Sequence, residues 1–367
     1  MNPSSANSSQ HPLSAKVELV PRRHSKVRDS HITLAHGSGG KAMRDLIDDI
    51  FVGSFDNPML AELEDQARIS LDSLMTLGDR LAFTTDSYVV DPLFFPGGNI
   101  GNLAVNGTVN DLAVSGAKPL YLSCAMIIEE GLPVKTLRQV AQSMKAAADV
   151  AGVQIVTGDT KVVNRGSADK LFINTTGIGI IREGIAISAH NLQAGDLVLC
   201  NGYLGDHGAA ITVARGELAL DTTIVSDCQP LTSLVETILA ICPEIRAMRD
   251  ATRGGVATVL NEFALSSDVG IRLQESSLPV GEEVKGVCEL LGLDPLYLAN
   301  EGKLVVIVPQ SKAEAVLAAM KTDPAGENAC IIGEVIDSAP GLVLLETMFG
   351  TERIVDMLVG EQLPRIC

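Results

Sequence analysis

Positive charge is scarce in this chain: 28 lysines and arginines face 45 aspartates and glutamates, a formal net charge of −17 over 367 residues. Nucleic acid and anionic membrane surfaces both require a cationic footprint, so neither is expected as a partner. Long apolar runs are missing too. No stretch reaches the ~18 residues of a membrane span and no signal-peptide core is visible, so a cytoplasmic protein is expected. The seven cysteines are odd in number and scattered without metal-like spacing, which argues for reduced thiols rather than a disulfide framework or a zinc site. Cys124, Cys200, Cys242, Cys288 and Cys330 sit in apolar or helical contexts and read as packing residues. The chain is nonetheless 46% hydrophobic, the composition of a globular protein with length enough for two cores.

What the sequence does contain is a thiol at its very end. Pro364, Arg365 and Ile366 lead to the terminal Cys367. A thiolate is the strongest nucleophile among ordinary side chains, and at a free end it can visit a donor, an internal site and an acceptor in turn. Taken alone it would be an incidental group on a frayed terminus. Residues 1–31, rich in Ser, Asn, Pro and Gln and then basic from Arg22 to Arg28, read as a disordered extension.

From Ile32 the pattern alternates between strand-like and helix-like segments, which predicts an α+β chain of two mixed domains, 32–184 and 185–348, followed by a flexible tail, 349–367. Helices are expected at Lys41–Phe51, Val134–Val150, Leu231–Met248, Gly255–Ser266 and Lys312–Lys321. Strands are expected at Leu81–Val90, Tyr121–Ile128, Val153–Thr157, Leu171–Ile181, Leu197–Cys200, Gly270–Leu273, Leu304–Val308 and Cys330–Val335.

Polar residues interrupting these segments carry the chemistry. His36-Gly37-Ser38-Gly39-Gly40-Lys41 runs into a helix, so the backbone at Gly37, Gly39 and Gly40 could approach a phosphate while Lys41 supplies charge, although the run is not a Walker motif. Asp86, Asp111 and Asp159 fall at element ends. Each alone reads as a cap or turn residue, and together they suit Mg²⁺, which takes carboxylate oxygens and completes its shell with water and phosphate. Asp250-Ala251-Thr252-Arg253-Gly254-Gly255 also leads into a helix. It reads either as a simple cap or as a second phosphate element in which the Arg253 guanidinium grips oxygens in bidentate fashion. Glu301, in the turn Ala299–Lys303 before an apolar strand, stands where a carboxyl is partly desolvated and moved toward a base's working range, or is a plain turn residue.

These motifs, HGSGGK, TTDSYVV, VNDLAVSGAKP, GDTKVV, GDHG, DATRGG, ANEGK and the terminal PRIC, together resemble the HypE family of hydrogenase maturation proteins, within the superfamily of aminoimidazole ribonucleotide synthetase and selenophosphate synthetase. The likeness spans Ile32 to Cys367. The synthetases share the ATP elements but lack the terminal PRIC, and selenophosphate synthetase carries a reactive Cys or Sec where this loop has serine and glycine. The resemblance implies a two-domain PurM-like fold whose N-terminal domain contributes strands to a dimeric β-barrel, with an α/β sandwich behind it. It implies ATP-dependent dehydration of a carbamoyl group on Cys367 to a thiocyanate. HypF would donate the carbamoyl group, and the HypC–HypD complex would accept the cyanide for the iron of a nickel–iron hydrogenase. On this basis Asp86, Asp111 and Asp159 would hold Mg²⁺, and Asp250, Arg253, Gly254 and Gly255 would join the first loop at the ATP phosphates. Glu301 would take the amide proton, with Lys161 or His207 orienting the carboxamide. The competing readings are a synthetase for a free small substrate and a non-enzymatic scaffold that uses the terminal thiol for iron or partner binding.

Overall fold

Two sheets organise the chain in a computed structural model that describes residues 26–64, 66–216, 222–358, 360, 363 and 365–367. Strand β1 (Arg80–Tyr88) is followed by a two-residue hairpin, β2 (Phe94–Phe95) and β3 (Gly98–Asn99), and then by β4 (Ala117–Glu129), β5 (Gln154–Val163) and β6 (Leu171–Ile181). The long strands form a sheet in the order β1-β6-β4-β5, antiparallel except for the β4/β5 pair. That parallel pair is joined by the helix Val134–Ala151, which buries Leu137, Val140, Ala141, Met144 and Ala148 along one stripe and stops at Gly152 with φ 73°. The helix Ile100–Val114 covers the same sheet. It starts at an Asn99 cap whose side chain accepts the Gly101 N–H at 2.8 Å, and it is buried nearly all round, polar Asn106, Thr108 and Asn110 included. With no solvent face it lacks the apolar stripe that betrays a helix in sequence, and it was not expected.

The opposite face of this sheet carries Phe83, 72% exposed, and Ile127, 43% exposed, with Tyr121, Phe172 and Ile178 half-buried beside them. Edge strand β1 adds Leu81, 60% exposed.

The second sheet takes β7 (Leu197–Cys200), β8 (Ala247–Asp250), β9 (Gly270–Gln274), β10 (Leu304–Val308), β11 (Cys330–Ile336), β12 (Val343–Glu346) and β13 (Glu352–Ile354). Their order is β13-β12-β9-β11-β7-β10-β8, with only β12 and β9 parallel. Every residue of β10 is buried because its two faces feed different cores. Val305 and Ile307 pack with the helix Gly255–Ser267, while Leu304, Val306 and Val308 pack with the helices Thr232–Ile241 and Gln310–Met320.

Three sequence expectations change. The helix expected over Leu231–Met248 ends at Ile241, because Pro243 lies two residues on and Ala247–Asp250 pairs with β10 instead. The strand expected to stop at Thr157 runs to Val163 along β4. Residues 26–31 belong to the fold: the Val27 N–H donates to Asp49 Oδ2 at 2.9 Å, and His31 bridges to Pro133. Residues 1–25 of the expected extension lie outside the described residues. Cys124, Cys200, Cys242 and Cys288 are buried as expected, and Cys330 is half-buried.

Candidate active site

Asn300 ties three of the sequence motifs into one place. Its Oδ1 accepts the Gly205 N–H at 2.8 Å, and its Nδ2 donates to the carbonyl of Ala251 at 2.8 Å and that of Leu298 at 3.1 Å. Backbone bonds repeat the connection, with the Gly208 N–H on the Ala299 carbonyl at 3.0 Å and the Ala251 N–H on the Lys303 carbonyl at 2.9 Å. The turns Ala299–Lys303, Asn201–Gly208 and Asp250–Gly255 are thereby clamped together at the ends of β10, β7 and β8. Gly255 is required in its turn: φ is 60°, and a Cβ would come 2.4 Å from the Leu296 carbonyl oxygen.

The tail folds back into this junction. His207, fully buried, donates from Nε2 to the carbonyl of Ile366 at 2.8 Å. Burial holds the imidazole below its ordinary pKa, so it is neutral and its Nδ1 accepts from Ser226 Oγ at 2.8 Å. With both ring nitrogens engaged, His207 grips the tail backbone rather than the terminal group it was expected to orient. Arg215 makes a second grip, donating to the carbonyls of Asp91 at 3.0 Å and Arg365 at 2.8 Å. Ile366 is 5% exposed and Cys367 half-buried, beside a cavity of about 510 Å³ bordered by Arg253, Gly254 and Tyr297. In this structure the end of the expected flexible tail is docked.

Glu301 meets the tail there. It is 3% exposed, its carboxyl neighbours the Cys367 thiol, and among the described residues its Oε1 has no hydrogen-bond partner. Burial, then the charges of Asp227, Asp250 and Asp86, push the Glu301 carboxyl well above the usual carboxylate range. Burial and the neighbouring Glu301 likewise raise the Cys367 thiol. A buried carboxyl beside the half-buried thiol that ends the tail is an arrangement suited to acid–base chemistry on a group carried there.

Carboxylates gather on the β1 side. Asp86 and Thr84 lie on the helix-facing side of β1, and Thr84 Oγ1 donates to Asp111 Oδ2 at 2.9 Å. Burial and the Asp86 charge raise Asp111, while burial and the Asp111 charge move Asp250 up to about 7. Arg253 stands over them, its Nη2 3.6 Å from Asp86 Oδ1, with a side chain still 68% exposed and free to turn to a ligand. Crowded carboxylates of raised pKa are suited to a divalent cation, and Mg²⁺ bound to phosphate needs only one or two of them.

Other expected site residues stand elsewhere. Asp159 and Lys161 are exposed on β5, the edge of the sheet opposite β1, with β6 and β4 between, so one chain does not bring Asp159 to Asp86 and Asp111. No group of three or more metal-ligating acids, His or Cys occurs among the described residues. The loop His36–Lys41 lies against β5, where a Cβ on Gly37 would meet the Val162 nitrogen at 2.8 Å. Lys41 is 84% exposed and pairs with Asp45 at 2.6 Å. Gly39 has φ 77° and open space around it.

Sequence reasoning missed Asp227. Its carboxylate, 2% exposed, accepts the N–H of Glu301 at 3.0 Å and of Gly302 at 3.3 Å and pairs with Lys303 Nζ at 3.3 Å. Breaking such a buried pair by removing one partner costs about 3–5 kcal/mol. Cys228 was missed as well; its Sγ accepts from Asn106 Nδ2 at 3.5 Å, and its thiol is raised by burial and by Glu301.

Among known proteins, the family described as AIR synthase related protein matches in both parts, the N-terminal domain over residues 64–181 and the C-terminal domain over 193–344. The carbamoyl dehydratase HypE of Rhodobacter capsulatus is 55% identical over 93% of this chain and 99% of its own length. That of Escherichia coli strain K12 is 56% identical over 92% and 100%. A crystal structure of HypE in complex with ATP superposes with a TM-score of 0.86 at 49% identity, covering 91% of this chain and 99% of the other. A HypE–HypF complex does so with 0.74 at 50%, covering 87% and 100%. No helix of the described residues is long and apolar enough to cross a membrane. The two-sheet PurM-like fold, the docked cysteine tail and these likenesses agree, and the chain belongs to the HypE family of carbamoyl dehydratases.

Proposed function

We propose that this chain dehydrates a carbamoyl group carried on its own Cys367, with ATP taking up the oxygen. The observation that carries the reading is the docked tail, held through the Ile366 carbonyl, which sets Cys367 beside the buried Glu301. The substrate is the thiocarboxamide Cys–S–C(=O)–NH₂. Hydroxide is a poor leaving group, so the amide oxygen first takes the γ-phosphoryl group of ATP, releasing ADP and a proton from nitrogen. The second nitrogen proton then departs with inorganic phosphate, leaving Cys–S–C≡N. Glu301, as carboxylate, receives a nitrogen proton, and the charges around it that raise its pKa make it a stronger base once ionised. His207 and Arg215 hold the tail backbone so that the reacting group stays within reach. Arg253 offsets charge on the transferred phosphoryl group.

Asp86 and Asp111 would hold Mg²⁺, which would offset the charge of the ATP phosphates. The loop His36–Lys41, Lys161 and Asp159 would act at the phosphates or the carboxamide from a second protomer. The apolar outer face of the first sheet, with Phe83, Ile127 and Leu81, supports pairing of two copies there. HypF would deliver the carbamoyl group and a HypC–HypD complex would receive the cyanide, in the cytoplasm.

The deciding experiment is mass analysis of the C-terminal peptide after incubation with HypF, carbamoyl phosphate and Mg-ATP. The peptide should gain a carbamoyl group and then lose one water only with ATP, and Cys367→Ala should do neither. ATP consumption with an unmodified Cys367 would overturn the reading in favour of a free acceptor.

A further inference from the structure

Asp227 is a buried charge for which the dehydration has so far no use, and its contacts all fall on the turn that carries Glu301. One carboxylate oxygen takes the Glu301 N–H and the other the Gly302 N–H, while Lys303 Nζ closes the group at 3.3 Å, with side chains 2% and 9% exposed. The backbone is pressed just as close: a Cβ on Gly302 would lie 2.0 Å from the Asp227 carbonyl oxygen. The preceding residue, Ser226, is the partner of His207 Nδ1, so a single segment sets both the base and the tail clamp. We infer that Asp227, with Lys303 as its counter-charge, is the positioning residue for Glu301, fixing where the base meets the group on Cys367. This rests on the assignment of Glu301 as the base.

The arrangement has an electrostatic consequence. Asp227 is the leading charge among the groups that keep the proton on Glu301; the others are Asp250 at the end of β8 and Asp86 on β1. Other titratable groups around it are Tyr88 on β1, Cys228 beside Asp227 and Cys367 on the tail, with Asp111, Arg253 and neutral His207 next outward. Asp206, raised to about 6 by burial and then by the Asp227 charge, faces the same Asp227–Lys303 pair, so Asp206→Asn, which should leave the rise in place, separates its titration from that of Glu301. Removing the Asp227 charge eases ionisation of Glu301, and removing the Lys303 charge hinders it. The two partners should therefore move the pH dependence in opposite directions, which loss of local structure would not do.

The test is single-turnover dehydration of the full-length carbamoylated protein with saturating Mg-ATP, read on the C-terminal peptide across pH. Wild-type rate should rise with pH as Glu301 ionises. Asp227→Asn should shift that rise about one unit or more to lower pH, and Lys303→Met should shift it to higher pH, while Lys303→Arg keeps the wild-type position. Should Asp227→Asn fail to fold, the two Lys303 variants decide. The inference is overturned if the rise stays put, or moves the same way in Asp227→Asn and Lys303→Met, while Glu301→Gln is inactive. Full activity in Glu301→Gln would instead remove the base assignment beneath it.

Discussion

The tail chamber and the glycine-rich loop share a chain but are built in opposite ways. In the chamber Glu301 is 3% and His207 0% exposed, and turns from three strand ends are cross-tied by Asn300. At the loop Lys41 is 84% exposed, Gly39 has open space around it, and Asp159 lies bare on an edge strand. Proton transfer gains from a dry, pre-set site where charges interact strongly. Phosphate capture, the role proposed for the other region, would draw on ligand, cation or a second subunit to complete it. On the proposed roles, the fold sets one half of the reaction in advance and leaves the other open.

The sharpest way to break this contrast is to disable the dry half. Glu301→Gln keeps the shape of the chamber and should lower single-turnover dehydration by on the order of 10²- to 10⁴-fold, with carbamoylation of Cys367 by HypF retained. A near-normal rate would mean that burial there is only structural. The open half should respond more mildly. Asp159→Asn should cost roughly tenfold to a hundredfold, the scale of one charge-assisted contact, and dimers mixing Asp159→Asn with Cys367→Ala chains should recover dehydration. Recovery requires that Asp159 of one copy serve the tail of the other, and its absence would return Asp159 to its own chain.

Acidity provides a third comparison. Asp250 has a folded pKa of about 7 against an ordinary 3.8, so the folded state binds its proton more tightly than the unfolded state. The stability this confers is present in acid and lost as pH rises through 7. Asp250→Asn should therefore melt higher than wild type at pH 8, with the gain closing toward pH 4 in thermal scans. A constant difference would rule out this titration as the cause. The smallest change belongs to the clamp: His207→Gln gives up part of the hold on Ile366, and alkylation of Cys367 by iodoacetamide should quicken about fivefold, equivalent to ~1 kcal/mol.

Much of the chamber was legible because its signals are local. Cys367 announces itself by position, and Glu301 by an acid in a short turn before the all-apolar β10. The Asp250–Gly255 turn was legible through two glycines ahead of a helical stripe. Asp227 was not, since what makes it important is a contact with residues 74 and 75 positions away and nothing in its neighbours marks it. The helix Ile100–Val114 escaped for the reverse reason: burial on every side erased the periodicity that reveals surface helices, although it delivers Asp111, Asn110 and Asn106 to the site. Asp159 and Lys41 were recognised as motif residues, yet sequence order could not show that β6 and β4 separate them from Asp86.

The docked end of the chain also sets the kinetics by which this protein must be judged. Because His207 and Arg215 grip Ile366 and Arg365 of their own polypeptide, the reacting group arrives by tether rather than by diffusion. Its effective concentration is fixed by the length of the tail, so the dehydration rate should not depend on how dilute the protein is. Nor can it be saturated with substrate in the ordinary sense. Each polypeptide yields one thiocyanate per loading, and sustained turnover waits on a visitor to discharge and recharge the thiol.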